Sequence, residues 1–278
     1  MHLRFGWTAK QILMSKRYFT SDFHFNSTLI NKYANRPRRE ALDAGIFLVV
    51  NANAVLSDED VLFHVGDFCL TSPDRHGKEV DNPLDFSPDY WKTQLKSRLV
   101  LLAGNHDDGH SFEADCKSLT VDLNQNYRNV TVAHYPSTHE NYKYVGNGNC
   151  KSCSSGIHVH LCGHVHDKWL LFFDAKKRVL NVNVGVDVWN YKPVNDAEIT
   201  ELLDYFRANL WTKIANDGSY WSNFALTRDA LEKFKLAHSA EVKAQREVRK
   251  AEKHAKKGLT QAECERRKIE AMKKKGLI

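Results

Sequence analysis

Short apolar runs alternate with amphipathic or loop-forming stretches from Lys16 to about Val194. Lys16–Thr20 (KRYFT), Val61–Val65 (VLFHV) and Arg98–Ala103 (RLVLLA) are rich in β-branched, aromatic and leucine residues. Each runs straight into a polar cluster, which predicts a buried strand with a functional loop at its C-terminal end. Val130–Ala133, Ile157–Cys162, Trp169–Phe173 and Val179–Val184 read as further strands. Between them, Arg38–Val55 and Pro88–Lys96 predict helices, the second with Pro88 in its first turn. Strands alternating with helices predict a layered α/β domain.

After Pro193 the pattern changes. Asp196–Leu210 predicts an amphipathic helix, and Leu226 to about Lys257 a long one that becomes charged all round and stops at Gly258. Thr260 with Glu263 forms a capping box for a last helix ending before Gly276. The expected organisation is therefore a main domain over 14–210 and a basic helical extension over 211–278. No internal repeat is present, and Met14 is a plausible alternative start, since residues 1–13 carry no chemistry.

Composition narrows the class. With 42% hydrophobic and 27% charged residues among 278, the chain has the profile of a globular protein with room for a sizeable core. No apolar run approaches the ~20 residues of a membrane-spanning helix, and Met1–Leu13 lacks the apolar stretch of a secretory signal. The expected location is cytoplasmic, with no membrane partner and with the six cysteines reduced. The net charge of +6 is unevenly placed: 13 Lys and Arg against 6 Glu from Glu241 to Ile278 give that segment +7, leaving −1 on the rest.

Five polar clusters stand where predicted strands end: Asp22-Phe23-His24, Gly66-Asp67, Gly104-Asn105-His106-Asp107, His134-Tyr135-Pro136 and Gly163-His164-Val165-His166. Singly, each is weak. Together they supply the oxygen and nitrogen donors that suit manganese, iron or zinc. In D-x-H and H-x-H the two side chains stand at i and i+2, so on an extended segment they share a side and can bite one metal site. Glycine before Asp67, Asn105 and His164 allows a sharp exit from each strand, and converging strand ends are where α/β sheets bind ligands.

In this order the clusters resemble the calcineurin-like metallophosphoesterases, over roughly residues 16–194. Asn183–Pro193 (NVGVDVWNYKP) looks like the closing strand of the small bacterial and phage members. The resemblance implies a four-layer α/β/β/α sandwich with the C-terminal helical extension added to it. It also implies a hydrolase acting on phosphate esters with two divalent metal ions, manganese first and iron, zinc or nickel as alternatives. Asp22, His24 and His166 would hold the first ion and Asn105, His134 and His164 the second. Asp67 would bridge both, and His106 would face the substrate as general acid. The chemistry is self-consistent. Two cations about 3.5–4 Å apart need a bridging carboxylate and clamp the attacking and leaving oxygens of an in-line displacement. They also lower the pKa of a bridging water towards neutrality, and the departing alkoxide needs a proton that His106 can give.

Departures from the family narrow the substrate. Its protein-phosphatase branch has an Asp three residues beyond the G-D Asp, followed by Arg-Gly; here those positions are Leu70, Thr71 and Ser72. Their absence favours phosphodiesters or small phosphate esters. Asp107 would either orient a neighbour or cap a turn. Cys150 and Cys153 lie in a Gly/Asn/Ser-rich insertion and would make a zinc knuckle with His158 or His160. The default there is a solvated loop, with both histidines in the strand entering Cys162. Lys243–Lys257 and Arg266–Lys275 can track phosphates, which makes nucleic acid a partner of 241–278 and a nuclease the alternative function. The interleaved glutamates equally describe a solvated helix. A catalytically dead scaffold of the same fold is a third reading, disfavoured because all seven ligands and His106 are present.

Overall fold

A computed structural model describes residues 15–70, 86–107, 114–142, 157–210 and 224–233, with 235–236, 244, 246–250 and 261–274 beyond them. The chain forms two units, Met1–Thr227 and Arg228–Ile278.

The first unit is mixed α/β, built on two sheets. In one, β1 (Arg17–Thr20), β2 (Val61–Val65) and β3 (Arg98–Leu102) run parallel, and β9 (Val194–Asn195) pairs antiparallel with β1. The order is β3-β2-β1-β9. Alternation places Tyr18, Leu62 and Leu101 on one face, where helices α2 (Ala41–Asn53) and α3 (Pro88–Gln94) cover them with Leu48, Ala52, Trp91 and Leu95. Phe25 stacks on Trp91 at 4.4 Å, and the Trp91 indole donates to Asn26 Oδ1 at 3.0 Å, so the ring is buried with its one donor satisfied. Truncating such a ring costs about 3–5 kcal/mol. Phe19 and Phe63 stack on the opposite face.

The second sheet has the order β10-β7-β8-β6-β5-β4. Its strands are β4 (Ser118–Val121), β5 (Val130–Ala133), β6 (His158–Cys162), β7 (Leu171–Asp174), β8 (Val179–Asn183) and β10 (Phe224–Leu226). Within it β5, β6 and β8 run parallel. A parallel strand delivers its C-terminus to the same edge as its neighbour, so β1, β2 and β3 deliver one set of loops and β5, β6 and β8 another. A parallel bridge between Ser21 and Gly185, with Val186 N donating to Ser21 O at 3.2 Å, joins the two edges.

Helix α4 (Asp196–Tyr205) carries the capping box that two orphan amides need: Asn195 accepts from Ala197 and Glu198, and Glu198 accepts from Asn195. It buries Ile199, Leu202 and Leu203 and closes in a π-turn, Phe206–Leu210. Several segments differ from the sequence pattern, among them the short strand β9. Thr28–Tyr33 forms a six-residue helix, α1, capped by Ser27. Ser118–Val121 is a strand, and Leu226 ends strand β10 instead of opening a helix. In the second unit Gln261–Lys274 is helical, while Thr260 lies outside the described residues. No helix among the described residues is long and apolar enough to cross a membrane.

Candidate metal centre

The loops leaving β1 and β2 are laced to each other by backbone bonds, and so are those leaving β5 and β6. Asp22 N donates to Gly66 O at 3.1 Å, His24 N to Asp67 O at 3.0 Å and Gly163 N to His134 O at 3.0 Å. Asp22, His24, Asp67, His164 and His166 all adopt left-handed backbone, with φ between 48° and 72°. Non-glycine residues pay roughly 1–2 kcal/mol there, and such strain gathers where function over-determines the geometry. Gly66, at φ 88°, makes the turn into Asp67, and a Cβ on it would press on the His134 ring.

Two groups of donor atoms result. Asp22, His24 and His166 present ligand atoms within 4.8 Å of one another, and so do Asp67, His134 and His164. Asp67 stands between the groups: its Oδ2 is 3.4 Å from His24 Nε2 and 3.3 Å from His134 Nε2. Asn105 Oδ1 joins the second group, 2.9 Å from both His134 Nε2 and His164 Nδ1. All seven residues expected as ligands therefore meet at one place. The expectation that each x-spaced pair bites one site from an extended segment fails in two respects. The donors Asp22, His24, His164 and His166 have left-handed backbone, and His164 and His166 fall in different groups, while Asp22 and His24 share one.

The donor set fits divalent cations. Bonds of about 2.1 Å spread over a tetrahedron or octahedron leave neighbouring donors about 3.0–3.4 Å apart, which is the spacing of the second group and of the shared carboxylate. His24 Nε2 is buried without a hydrogen-bond partner, 3.9 Å from Asp22 Oδ1. Burial pushes the Asp22 carboxyl up and holds His24 far below the usual imidazole range and His164 at about 4, so both imidazoles offer lone pairs. For His134, burial is overridden by the Asp67 carboxylate and the pKa rises to about 9. His134 Nδ1 donates to Val65 O at 2.9 Å, so the extra proton sits on Nε2, where a cation would take its place.

Two supports lie behind the ligands. Asp107 accepts from the amides of Asp67 at 2.7 Å, Phe68 at 3.0 Å and Gly104 at 2.8 Å. It thus caps its own turn and also pins the Asp67 loop to the loop after β3. The second support, Arg36 with Asp187, has no counterpart among the residues singled out from sequence. Asp187 Oδ2 accepts from His166 Nδ1 at 2.9 Å, and both Asp187 and Arg36 are buried. His106 is exposed beside the ligands, its ring 5.2 Å from that of His24 and its amide donating to Asp67 Oδ1 at 2.8 Å.

Other histidines are occupied elsewhere. His158 Nε2 and His160 Nδ1 both lie 2.8 Å from Thr131 Oγ1, and His160 Nε2 donates to Tyr135 O at 2.9 Å. Cys150, Cys153, Thr71 and Ser72 lie outside the described residues. Cys69, Cys116 and Cys162 are free thiols.

No family model matches the chain. An uncharacterized protein of Methanocaldococcus jannaschii is 28% identical over 195 residues, covering 69% of this chain and 93% of its own. Among solved structures, a protein of unknown function from Aquifex aeolicus aligns at TM-score 0.47 and 22% identity, over 68% of this chain and 99% of that one. A conserved uncharacterized protein of Streptococcus pneumoniae, described as a predicted phosphoesterase, aligns at TM-score 0.26 and 15% identity, over 62% of this chain and 72% of that one.

Proposed function

We propose that this chain is a dinuclear metal-dependent phosphoesterase of the calcineurin-like type, its sheets and helices stacked as α/β/β/α, acting on phosphodiesters or small phosphate esters. The observation that carries the reading is Asp67 Oδ2, placed at 3.4 Å and 3.3 Å between histidines of two separate ligand groups. A carboxylate oxygen so shared is what two neighbouring cations require. Divalent cations held there, manganese by preference, supply Lewis acidity toward a phosphoryl oxygen and bring the pKa of water towards neutrality.

The chain's own residues do the rest. Asp22, His24 and His166 hold one position, Asn105, His134 and His164 the other. Asp107 fixes the Asp67 loop, so the shared carboxylate does not swing away as charge develops. His106, exposed at the rim, delivers a proton to the leaving oxygen. Leu70 in place of an acidic partner leaves that histidine without the protein-phosphatase dyad, which supports diesters and small esters over phosphoproteins.

Mn²⁺-loaded protein should hydrolyse bis-(p-nitrophenyl) phosphate. Folded protein carrying two ions per chain, yet inert toward diesters, monoesters, cyclic nucleotides and phosphopeptides, would overturn the proposal.

A further inference from the structure

Arg36 sits 14 residues beyond the first ligand and touches no donor atom of the site, yet its side chain is 2% exposed. A buried guanidinium is tolerated only when its donors are consumed. Here four of the five N–H groups are spent on the first ligand group's scaffold. Nη2 donates to Asp22 O at 2.6 Å and Nη1 to Phe23 O at 2.9 Å, the carbonyls of the D-x-H segment. Nε and Nη2 grip the Asp187 carboxylate at 2.7 Å and 3.1 Å, and that carboxylate takes the Nδ1 proton of His166 at 2.9 Å. One planar fork therefore ties Asp22 and His24, which leave β1, to His166, which leaves β6. The two segments are 142 residues apart in sequence. The second group is held differently: Asn105 Oδ1 meets both its histidines and Val65 O takes the His134 Nδ1 proton, whereas the bonds of Arg36 and Asp187 described above reach only segments of the first group.

We propose that Arg36 is a positioning residue for the metal position formed by Asp22, His24 and His166, acting through Asp187, and that it sets ion affinity there without setting it at the Asp67–His134–His164 position. The inference rests on the dinuclear reading above. Lysine cannot replace it: a single ammonium presents its donors from one point and cannot reach two carbonyls and a carboxylate along a plane. Loss of a carboxylate behind a ligating histidine typically weakens metal binding about 10–100-fold, and the same scale is expected here at one position only.

The test is Mn²⁺ titration of the full chain, with no substrate present, followed by calorimetry and by the electron paramagnetic resonance of coupled against isolated Mn²⁺. Wild-type protein is expected to bind two ions and show the coupled signal. Arg36→Lys and Asp187→Asn are expected to retain one ion at wild-type affinity and bind the other about 10–100-fold more weakly, with the isolated-ion signature of His166→Ala. Should Arg36→Lys not fold, the isosteric Asp187→Asn alone decides. Either variant, folded and binding two ions at wild-type affinities, overturns the proposal, as does equal weakening of both ions. A wild type that binds fewer than two ions overturns it together with the dinuclear reading. A wild type that binds two and hydrolyses nothing overturns the function and leaves this inference standing.

Discussion

The tripeptide His-Val-His occurs twice within nine residues, at 158–160 and at 164–166, and the two copies do different things. The first lies inside β6, where both imidazoles meet the Thr131 hydroxyl and His160 donates onward to a carbonyl. The second follows Gly163, in left-handed backbone, and its rings meet Asn105 Oδ1 and the Asp187 carboxylate. A hydroxyl can both give and accept, so a hydroxyl between two imidazoles closes a neutral network. Around the second copy, with Asp22, Asp67 and Asn105, acceptor oxygens dominate, a setting that suits a cation. Identical local sequence thus becomes structure or chemistry according to what the opposite strand ends supply.

Substituting both members of each pair gives the largest contrast. His164→Ala with His166→Ala takes one donor from each group and should abolish bound Mn²⁺ and bring diester hydrolysis to background. His158→Ala with His160→Ala should leave two ions per folded chain. Elemental analysis of both proteins decides, and ion loss from the second would break the comparison. Next in size, His106→Ala should cost about 10²–10⁴ in rate while both ions remain bound.

Gly163, one of the three residues that separate the two copies, gives a smaller effect. A Cβ there overlaps Ser21 Oγ and comes within 2.5 Å of Asp22 Oδ2. Gly163→Ala should therefore cost about 1–3 kcal/mol by overpacking, and calorimetry should show weaker ion binding in the Asp22 group.

The first copy also carries a pH dependence. Burial holds His160 at about 4 against an ordinary 6.5, so the unfolded chain binds the extra proton first. Stability from this group is complete above pH 6.5 and is lost as pH falls towards 4, by up to about 3 kcal/mol at 1.4 kcal/mol per unit. His64, held at about 3 by burial, adds in the same direction. In chelator, urea midpoints for His160→Gln should fall less steeply over that window than those of the wild type. An identical slope would show that His160 does not carry it.

The strands and their polar ends were legible because alternation and run length survive in any context; Val61–Val65 and Val130–Ala133 match their predicted bounds. The seven donors converge as their order suggested. Arg36 was not legible: before Pro37 it reads as surface charge, and its partner Asp187 is 151 residues away. Helix α1, six residues long, is too short to leave a periodic signal, and strand β4 (SLTV) offers only Leu119 and Val121 as apolar positions. The left-handed backbone of five donors was hidden as well, because sequence rules assign that conformation to glycine and asparagine, whereas here the closed loops impose it.

Those five donors have a consequence for how the protein responds to selection. The three histidines among them, held at positive φ, cost about 1–2 kcal/mol each, a sizeable share of the stability of an ordinary domain. Glycine at 24, 164 or 166 would relieve that cost and destroy the ligand at one stroke. A library enriched for thermostability in chelator should therefore accumulate glycine or asparagine at these positions, while one enriched with Mn²⁺ should keep His. Sequencing the survivors would map the site without any substrate being known.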